Sequence, residues 1–350
     1  LIVRFTAASV HRQIVAVLEA WGMPPEPARI TADVMVDTDL AGIDSHGVSM
    51  LMMYDSLHAE GRLRLAAQPT VVTDAPGFSV MDGGHGLGHP VAVAAMDQAI
   101  AKARACGVGA VSVRNSQHFG AAGHYARRAA LAGLVGIATS TTRHPAVSPT
   151  GSVAAALGTN PFAFAAPRAG NPFVLDMATS VVAMNKVKVY SFEGKPLPDG
   201  WVTDATGAPV TDAARAYALL EESKASLSPL GGVGTESGGH KGFGLSMMVQ
   251  ILSAALSGGG SPWSGGDHDN VGHFFLAIDP AVACPGVPTT DLIEEFIAAV
   301  RIPGDTVLVA GEVEDRCRVE RSRDGIPMPD PLVEKITEVC ARAGVELVLA

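Results

Sequence analysis

The stretch Gly84-His85-Gly86-Leu87-Gly88 decides between two kinds of α/β fold. It precedes Pro90–Cys106, where Val91, Ala94, Ala95, Ile100 and Ala103 recur at helical spacing. A glycine-rich turn ahead of a helix is where an ordinary dinucleotide-binding domain holds a pyrophosphate. That motif requires G-x-G-x-x-G and an acidic strand end about twenty residues further on. The chain has neither the spacing nor a clear acidic partner. The glycines therefore read as a turn that lets a helix pack closely, and an ordinary Rossmann domain is not expected.

Working outward, strand and helix patterns alternate. Pro69–Asp74, Phe78–Asp82, Val108–Val113, Val135–Thr139, Phe162–Ala166, Phe173–Asp176 and His273–Ile278 read as strands, and His124–Leu131 as a helix. This alternation predicts an α/β core. The N-terminal side is helical: residues 7–21 behind a Thr6 cap, Pro25 to Leu40, and Val48 to Gly61. Thr290–Val300 and Pro331–Ala343 are further helices, and Gly242–Leu256, apolar on most sides, predicts a deeply buried one. Pro196–Ser228 reads as loop with a short helix, and Gly231–Gly239 and Ser257–Asp269 as mobile loops.

Composition removes several function classes. A net charge of −10 with no basic stripe, and 5% aromatic residues, argue against nucleic-acid binding. No run of about 18 apolar residues predicts a membrane span. The four cysteines, Cys106, Cys284, Cys317 and Cys340, lack CxxC spacing and read as reduced thiols of a cytoplasmic protein. The histidines form no HExxH pair, and neither GxSxG nor a P-loop occurs, so no metal is expected and a metal-dependent hydrolase is a weak alternative. At 350 residues with 47% hydrophobic and 17% charged residues, the chain fits two intimately associated domains with apolar surface left for a second subunit.

Five polar, glycine-punctuated clusters carry the candidate chemistry: Asp39–Val48 with Ser45-His46-Gly47, Asn115–Gly120 with His118, Gly158–Pro161, Asp176–Ser180 and Gly238–Gly244 with Lys241. Alone, His46 reads as a polar residue at a helix junction. His118 follows a buried strand by a few residues, where α/β sites gather. Asp176 ends an apolar run, and a carboxylate there is paired, functional or an N-cap. Lys241 opens a helix, where backbone N–H groups and the ammonium converge on an anion.

In order and spacing these clusters resemble the type-2 malate/L-lactate dehydrogenases, a group that includes ureidoglycolate and sulfolactate dehydrogenases and piperideine-carboxylate reductases. The resemblance runs from about Thr6 to Met328. It implies an α/β fold with a non-Rossmann NAD(P)-binding domain, here 76–309, and a smaller, largely helical domain from both termini, 1–75 and 310–350. It also implies a homodimer, and hydride transfer between a nicotinamide cofactor (NAD, with NADP possible) and a small 2-hydroxy or 2-oxo acid. The nearest alternative is reduction of a cyclic imine.

Carried over by position, Ser45, His46 and Asp176 resemble a hydrogen-bonded relay, and His118 resembles the proton acceptor; which histidine exchanges the substrate proton stays open. His118, Phe119, Gly120, Ala121, Thr141, Thr142, Asp176, Met177, Ala178, Lys241 and Gly242 resemble cofactor contacts, and Thr159 and Asn160 face substrate or nicotinamide. The chain departs from the pattern where the substrate carboxylate is held: Met50 stands where many members carry arginine, and Ala183-Met184-Asn185-Lys186 replaces Ala-Arg-Gly-Lys. Either Lys186, Lys241 or Arg143 then supplies the cation, or the substrate is less anionic or longer.

Overall fold

The computed structural model describes residues 2–260 and 269–350, so most of the Ser257–Asp269 stretch lies outside the described residues. The chain begins with β1 (Ile2–Phe5), α1 (Ala7–Ala20) and α2 (Pro25–Leu40); a 3-10 turn (Val48–Met50) leads into α3 (Leu51–Ala59). Next come β2 (Thr70–Ala75), β3 (Phe78–Gly86), α4 (Gly88–Cys106), β4 (Val108–Ser116), α5 (Ala122–Leu131), β5 (Val135–Ser140), β6 (Phe162–Ala166) and β7 (Phe173–Met177). A second excursion holds α6 (Met184–Glu193), β8 (Val202–Asp204), α7 (Ala213–Glu221), β9 (Ala225–Leu227) and α8 (Gly239–Gln250). The chain closes with β10 (Val271–Ile278), α9 (Pro280–Ala283), α10 (Thr289–Val300), α11 (Glu312–Asp324), β11 (Ile326–Pro329) and α12 (Asp330–Ala343).

The main sheet has seven strands in the order β2-β3-β4-β10-β5-β6-β7. Only β3 and β4 run parallel, joined by α4; the other neighbouring pairs are antiparallel. A doubly wound Rossmann sheet is parallel with helices on both faces, so this mixed sheet is a different fold. Strand β10 arrives late yet occupies the centre. Its run Val-Gly-His-Phe-Phe-Leu-Ala-Ile is buried on nearly every residue, as a strand covered on both faces must be.

Helices α4 and α5 cover one face through small residues. A Cβ on Gly109 would lie 2.1 Å from the Ala99 carbonyl oxygen, and one on Gly136 would lie 2.5 Å from that of Ala126. The helices thus rest directly on the strands, and Val91, Ala95, Met96, Tyr125, Val111, Val113, Ala138 and Phe275 fill the core between them. A second core joins the two chain ends: Val10, Ile14, Leu18, Met35 and Tyr54 pack with Ile326, Met328, Ile336 and Val339, and β1 pairs with β11. Each large apolar side chain buried in these cores contributes about 1.5–3 kcal/mol before conformational entropy is charged against it.

Several expectations are corrected. Strand β3 continues through Gly84 and His85, both at positive φ, to Gly86, so the glycine stretch is a bulged strand end with one residue before α4. Pro196–Ser228 contains β8, α7 and β9 around its own core of Val202, Val210, Ala216, Leu220 and Leu227. The Gly242–Leu256 helix is not deeply buried: α8 passes into a π-helical turn (Ile251–Ala255), and His240, Lys241, Gly244, Ile251 and Leu256 are exposed. Gly231–Gly239 is a folded turn in which backbones touch, since a Cβ on Gly239 would lie 2.0 Å from the Gly232 carbonyl oxygen. Among the described residues no helix is long and apolar enough to cross a membrane.

Candidate active site

The Ser-His-Gly segment is shaped by a carboxylate beneath it. Asp39, in the last turn of α2, is buried and accepts the Val48 N–H at 2.8 Å. Gly47 must be glycine, because a Cβ there would lie 1.8 Å from Asp39 Oδ1. From α11, Arg321 donates to the Asp39 carbonyl at 2.6 Å and pairs with Asp44. From the start of α6, Asn185 Nδ2 donates to the Ser45 carbonyl at 3.1 Å. Three separate elements therefore fix this loop.

Its product is an imidazole pair. Ser45 Oγ stands 2.7 Å from His46 Nδ1, and the His46 ring stacks on His118 with centroids 5.6 Å apart. His118 lies in the turn between β4 and α5, held from below where the Gly88 N–H at the start of α4 donates to its carbonyl at 3.1 Å. Its Nδ1 is 2.8 Å from the Tyr54 hydroxyl on α3. Phe119 is a packing residue, sandwiched between His273 (4.6 Å, nearly parallel) and Tyr125 (5.0 Å). His273 itself is satisfied by Ser140 and Ser116.

All four imidazoles here are biased to the neutral form, because burial penalises the charged one. Burial lowers His46 to about 4 and His89 and His273 to about 3. His118 falls well below its ordinary value through burial, then through the charges of His46, His89, His273 and Arg143. Arg143 is partly buried. Its side chain is 12% exposed, its Nε makes no hydrogen bond, and Asp269 stands 3.7 Å away.

Asp176 does not complete a relay with His46 in this structure. Its Oδ2 instead accepts the Gly123 N–H at 2.7 Å, so it caps the N-terminus of α5 from the neighbouring strand β7. Burial of the carboxyl raises it to about 6 against that hydrogen bond, although the residue keeps an exposed flank. Asp176 and Ala121 share one cleft with Ile43, Gly123 and His124. The turn Gly120–Gly123 is bare of side chains where it approaches its neighbours: a Cβ on Gly120 would meet His89 Nε2 at 3.0 Å and the His46 carbonyl at 3.7 Å.

A second cluster forms around Asn160, which is fully buried at φ +37°. Its Nδ2 donates to Ser246 and Gln250 of α8, while its Oδ1 has no partner. Gly158 leaves room for Thr142 and Asn160, and the Thr179 hydroxyl donates to the Thr159 and Asn160 carbonyls. Met177 and Ala178 lead from β7 to Thr179, while Thr141 is bonded to the Gly272 backbone. Gly242 packs under Leu230, whose N–H donates to the Thr179 carbonyl at 2.9 Å, so the start of α8 is joined to this cluster; Lys241 is exposed.

Two positions where the chain departs from the family pattern are packed against neighbours. Met50 lies in the helical core at 8% exposure, and Lys186 lies over the Trp201 ring at 5.6 Å. Sequence reasoning missed Tyr54 and His89, and gave no role to Asn185 or to Asp39 within the segments it singled out. Their signals were faint: Tyr54 sits two helical turns beyond His46, and His89 directly follows the glycine stretch.

Comparison with known proteins fits this geometry. Residues 5–337 match the family model described as malate/L-lactate dehydrogenase. A malate dehydrogenase of Pyrococcus abyssi is 39% identical over 98% of this chain and 96% of its own length. An L-sulfolactate dehydrogenase of Methanothermobacter thermautotrophicus is 34% identical over 95% and 94%. The solved malate dehydrogenase of Pyrococcus horikoshii OT3 superposes with a TM-score of 0.88 at 36% identity, covering 99% of this chain and 97% of that one. With a mixed sheet that is not Rossmann, a stacked histidine pair after Ser-His-Gly, and whole-length likeness to such enzymes, the chain belongs to the malate/L-lactate dehydrogenase family and is a hydroxy-acid dehydrogenase.

Proposed function

We propose that the protein transfers hydride between NAD and a small malate- or lactate-like 2-hydroxy acid, working as a homodimer with His118 as the group that exchanges the substrate proton. The observation that carries this reading is the His46–His118 stack beside the glycine-lined start of α5. The residues present suit a nicotinamide cofactor. Between the two engaged glycine amides, Ala121 and Ala122 offer backbone N–H groups at a helix N-terminus, and Asn160 Oδ1, buried without a partner, is an acceptor awaiting a donor such as a carboxamide. His118 to Ala121, Thr141 and Thr142, Asp176 to Ala178, and the Lys241–Gly242 turn would hold it. When bound, it supplies or accepts the hydride.

The chain's own residues do the rest. His118 holds or gives the proton at the substrate oxygen, within reach of a neutral imidazole. Ser45 orients His46, and His46 fixes the plane of the His118 ring. Asp176 sets the start of α5 and with it the Gly120–Gly123 backbone. Arg143, rather than the position of Met50, faces the substrate carboxylate, for which a guanidinium is the natural partner.

The test is loss of reduced-nicotinamide absorbance with NADH and NADPH in parallel, against oxaloacetate, pyruvate, sulfopyruvate and two cyclic imines. Turnover of an oxo acid with NADH supports the reading. Turnover of imines alone would overturn it in favour of the imine reductase, and a preference for NADPH would overturn the choice of cofactor.

A further inference from the structure

His118 has a structured environment on the side away from any substrate. Tyr54 Oη is 2.8 Å from His118 Nδ1 and 3.5 Å from His89 Nε2. The Gly120 N–H points at the same Nδ1 from 3.4 Å. Tyr54 and His89 are fully buried, and their rings meet edge to face. Neither residue is used in the steps above.

The direction of these hydrogen bonds follows from their donors. A backbone N–H can only donate, so the long Gly120 contact biases His118 Nδ1 towards the acceptor role, and the much shorter Tyr54 hydrogen bond is what fixes it. A neutral imidazole has one acceptor and one donor nitrogen, which places the His118 proton on Nε2. The Tyr54 hydroxyl then donates to Nδ1, and its oxygen is free to accept from His89 Nε2–H. That leaves His89 Nδ1 as a bare acceptor, and Nδ1 is indeed buried without a partner. A buried unpaired acceptor is tolerated better than a buried unpaired N–H, so the reverse tautomer of His89 is the costlier one. Every hydrogen in the set points one way, toward His118.

We propose that Tyr54 and His89 are positioning residues of the reaction: with the Gly120 amide they form a one-way chain of donors that locks His118 in its Nε2–H form, so that it meets the substrate oxygen as a donor. This rests on His118 being the proton-exchanging group. In reduction, the His118 Nε2–H bond breaks as the product O–H bond forms, and the Tyr54 hydroxyl proton passes to Nδ1. His118 stays neutral throughout. The Tyr54 phenolate is held by His89 Nε2–H, but burial raises Tyr54 well above its ordinary value, so the proton returns from His118 Nδ1 as water in the vacated substrate site reprotonates Nε2. Oxidation runs the same transfers backwards. A correctly placed ring in the wrong tautomer loses most of its turnover without losing its geometry.

The experiment is 15N NMR of the full-length enzyme with labelled histidine, in which one-bond and two-bond couplings report which ring nitrogen carries the proton; His118→Asn identifies the His118 signals. The free enzyme should show His118 neutral and protonated at Nε2. Tyr54→Phe keeps the ring in the core but removes the donor; it should populate the Nδ1–H form and lower kcat by about ten- to a hundredfold, with KM changed less than about threefold. His89→Leu should act in the same direction, and His89→Gln, which restores a donor, should recover turnover; this pair decides the matter if Tyr54→Phe does not fold. An Nδ1–H His118 in the wild type, or Tyr54→Phe with unchanged tautomer and kcat, overturns the proposal. If His118→Asn turns over normally, the assignment of His118 fails separately, and the spectra of the free enzyme still judge the donor chain.

Discussion

A Cβ on Gly88 would lie 2.3 Å from the Gln117 carbonyl oxygen and 2.6 Å from that of His118. Both contacts are with backbone, which cannot rotate away, so the start of α4 and the His118 turn are held at a distance that only glycine permits. Gly88→Ala should therefore lower stability by about 3 kcal/mol, at the upper end for overpacking, and displace His118; urea unfolding beside steady-state turnover measures both. An unchanged midpoint would mean that the turn yields. His118→Ala removes the donor itself, and turnover should fall by roughly two to four decades; near-normal turnover excludes that role. Arg143→Gln keeps the shape of the side chain and removes its charge. If Arg143 faces the substrate carboxylate, KM for an oxo acid should rise about tenfold or more, the scale of one charge-assisted pair. A KM unchanged while that of Lys241→Gln rises would move the carboxylate to α8.

The 3-10 turn after Ser-His-Gly is only three residues long and hangs on one buried carboxyl group. Burial raises Asp39 to about 8, against the Val48 hydrogen bond that lowers it, with the charge of Asp44 adding to the rise. Unfolded, the same group ionises near its ordinary value of 3.8. A folded value above the unfolded one means that the folded state binds more protons between the two, so its stabilising effect is complete below about pH 4 and is lost as pH rises towards 8. Asp39→Asn can still accept the Val48 N–H but has no proton to lose. Relative to wild type it should gain thermal stability steadily from pH 5 to pH 8, read from the melting temperature of each across that range. Parallel curves would place the Asp39 ionisation outside that window.

At this scale the limits of the sequence also become visible. Elements with a periodic apolar face, such as α1, α2 and α4, and the continuous apolar run of β10 were legible because burial alone dictates them. Helix α11 was not: Glu-Val-Glu-Asp-Arg-Cys-Arg-Val-Glu-Arg-Ser-Arg-Asp has no apolar stripe, and it is held by acidic residues in its first turn, arginines in its last, and the pairs Arg318–Asp37 and Arg321–Asp44. Strands β1 and β11 lie more than 300 residues apart, and no local pattern announces that they pair. In the site, Ser45, His46 and His118 could be read because motif residues adjoin one another in space. Tyr54, His89 and Asn185 act through contacts between elements, which spacing along the chain does not reveal. Asp176 was found for its position at a strand end, yet its partner, the Gly123 amide, belongs to another element.

The molecule as a whole leaves apolar surface uncovered. Phe296 and Val300 share one face of α10, with Ile302 two residues beyond, and Phe296 is 66% exposed. Ile251 and Leu256 are about half exposed where α8 runs out. With only 17% charged residues, the chain has little polar cover to spread over such faces, and exposed apolar surface of this kind marks association. The homodimer proposed above should appear in sedimentation as a particle of twice the chain mass at micromolar concentration. Because the contact would be apolar rather than ionic, that mass should change little between low and high salt. Should the partner also complete the site, specific activity must fall on dilution along the same curve as the mass, since both then obey one dissociation constant. A monomer at every concentration would exclude the dimer, whereas a dimer whose dissociated chains keep full activity would place the whole site within one chain and leave the apolar faces a purely structural role.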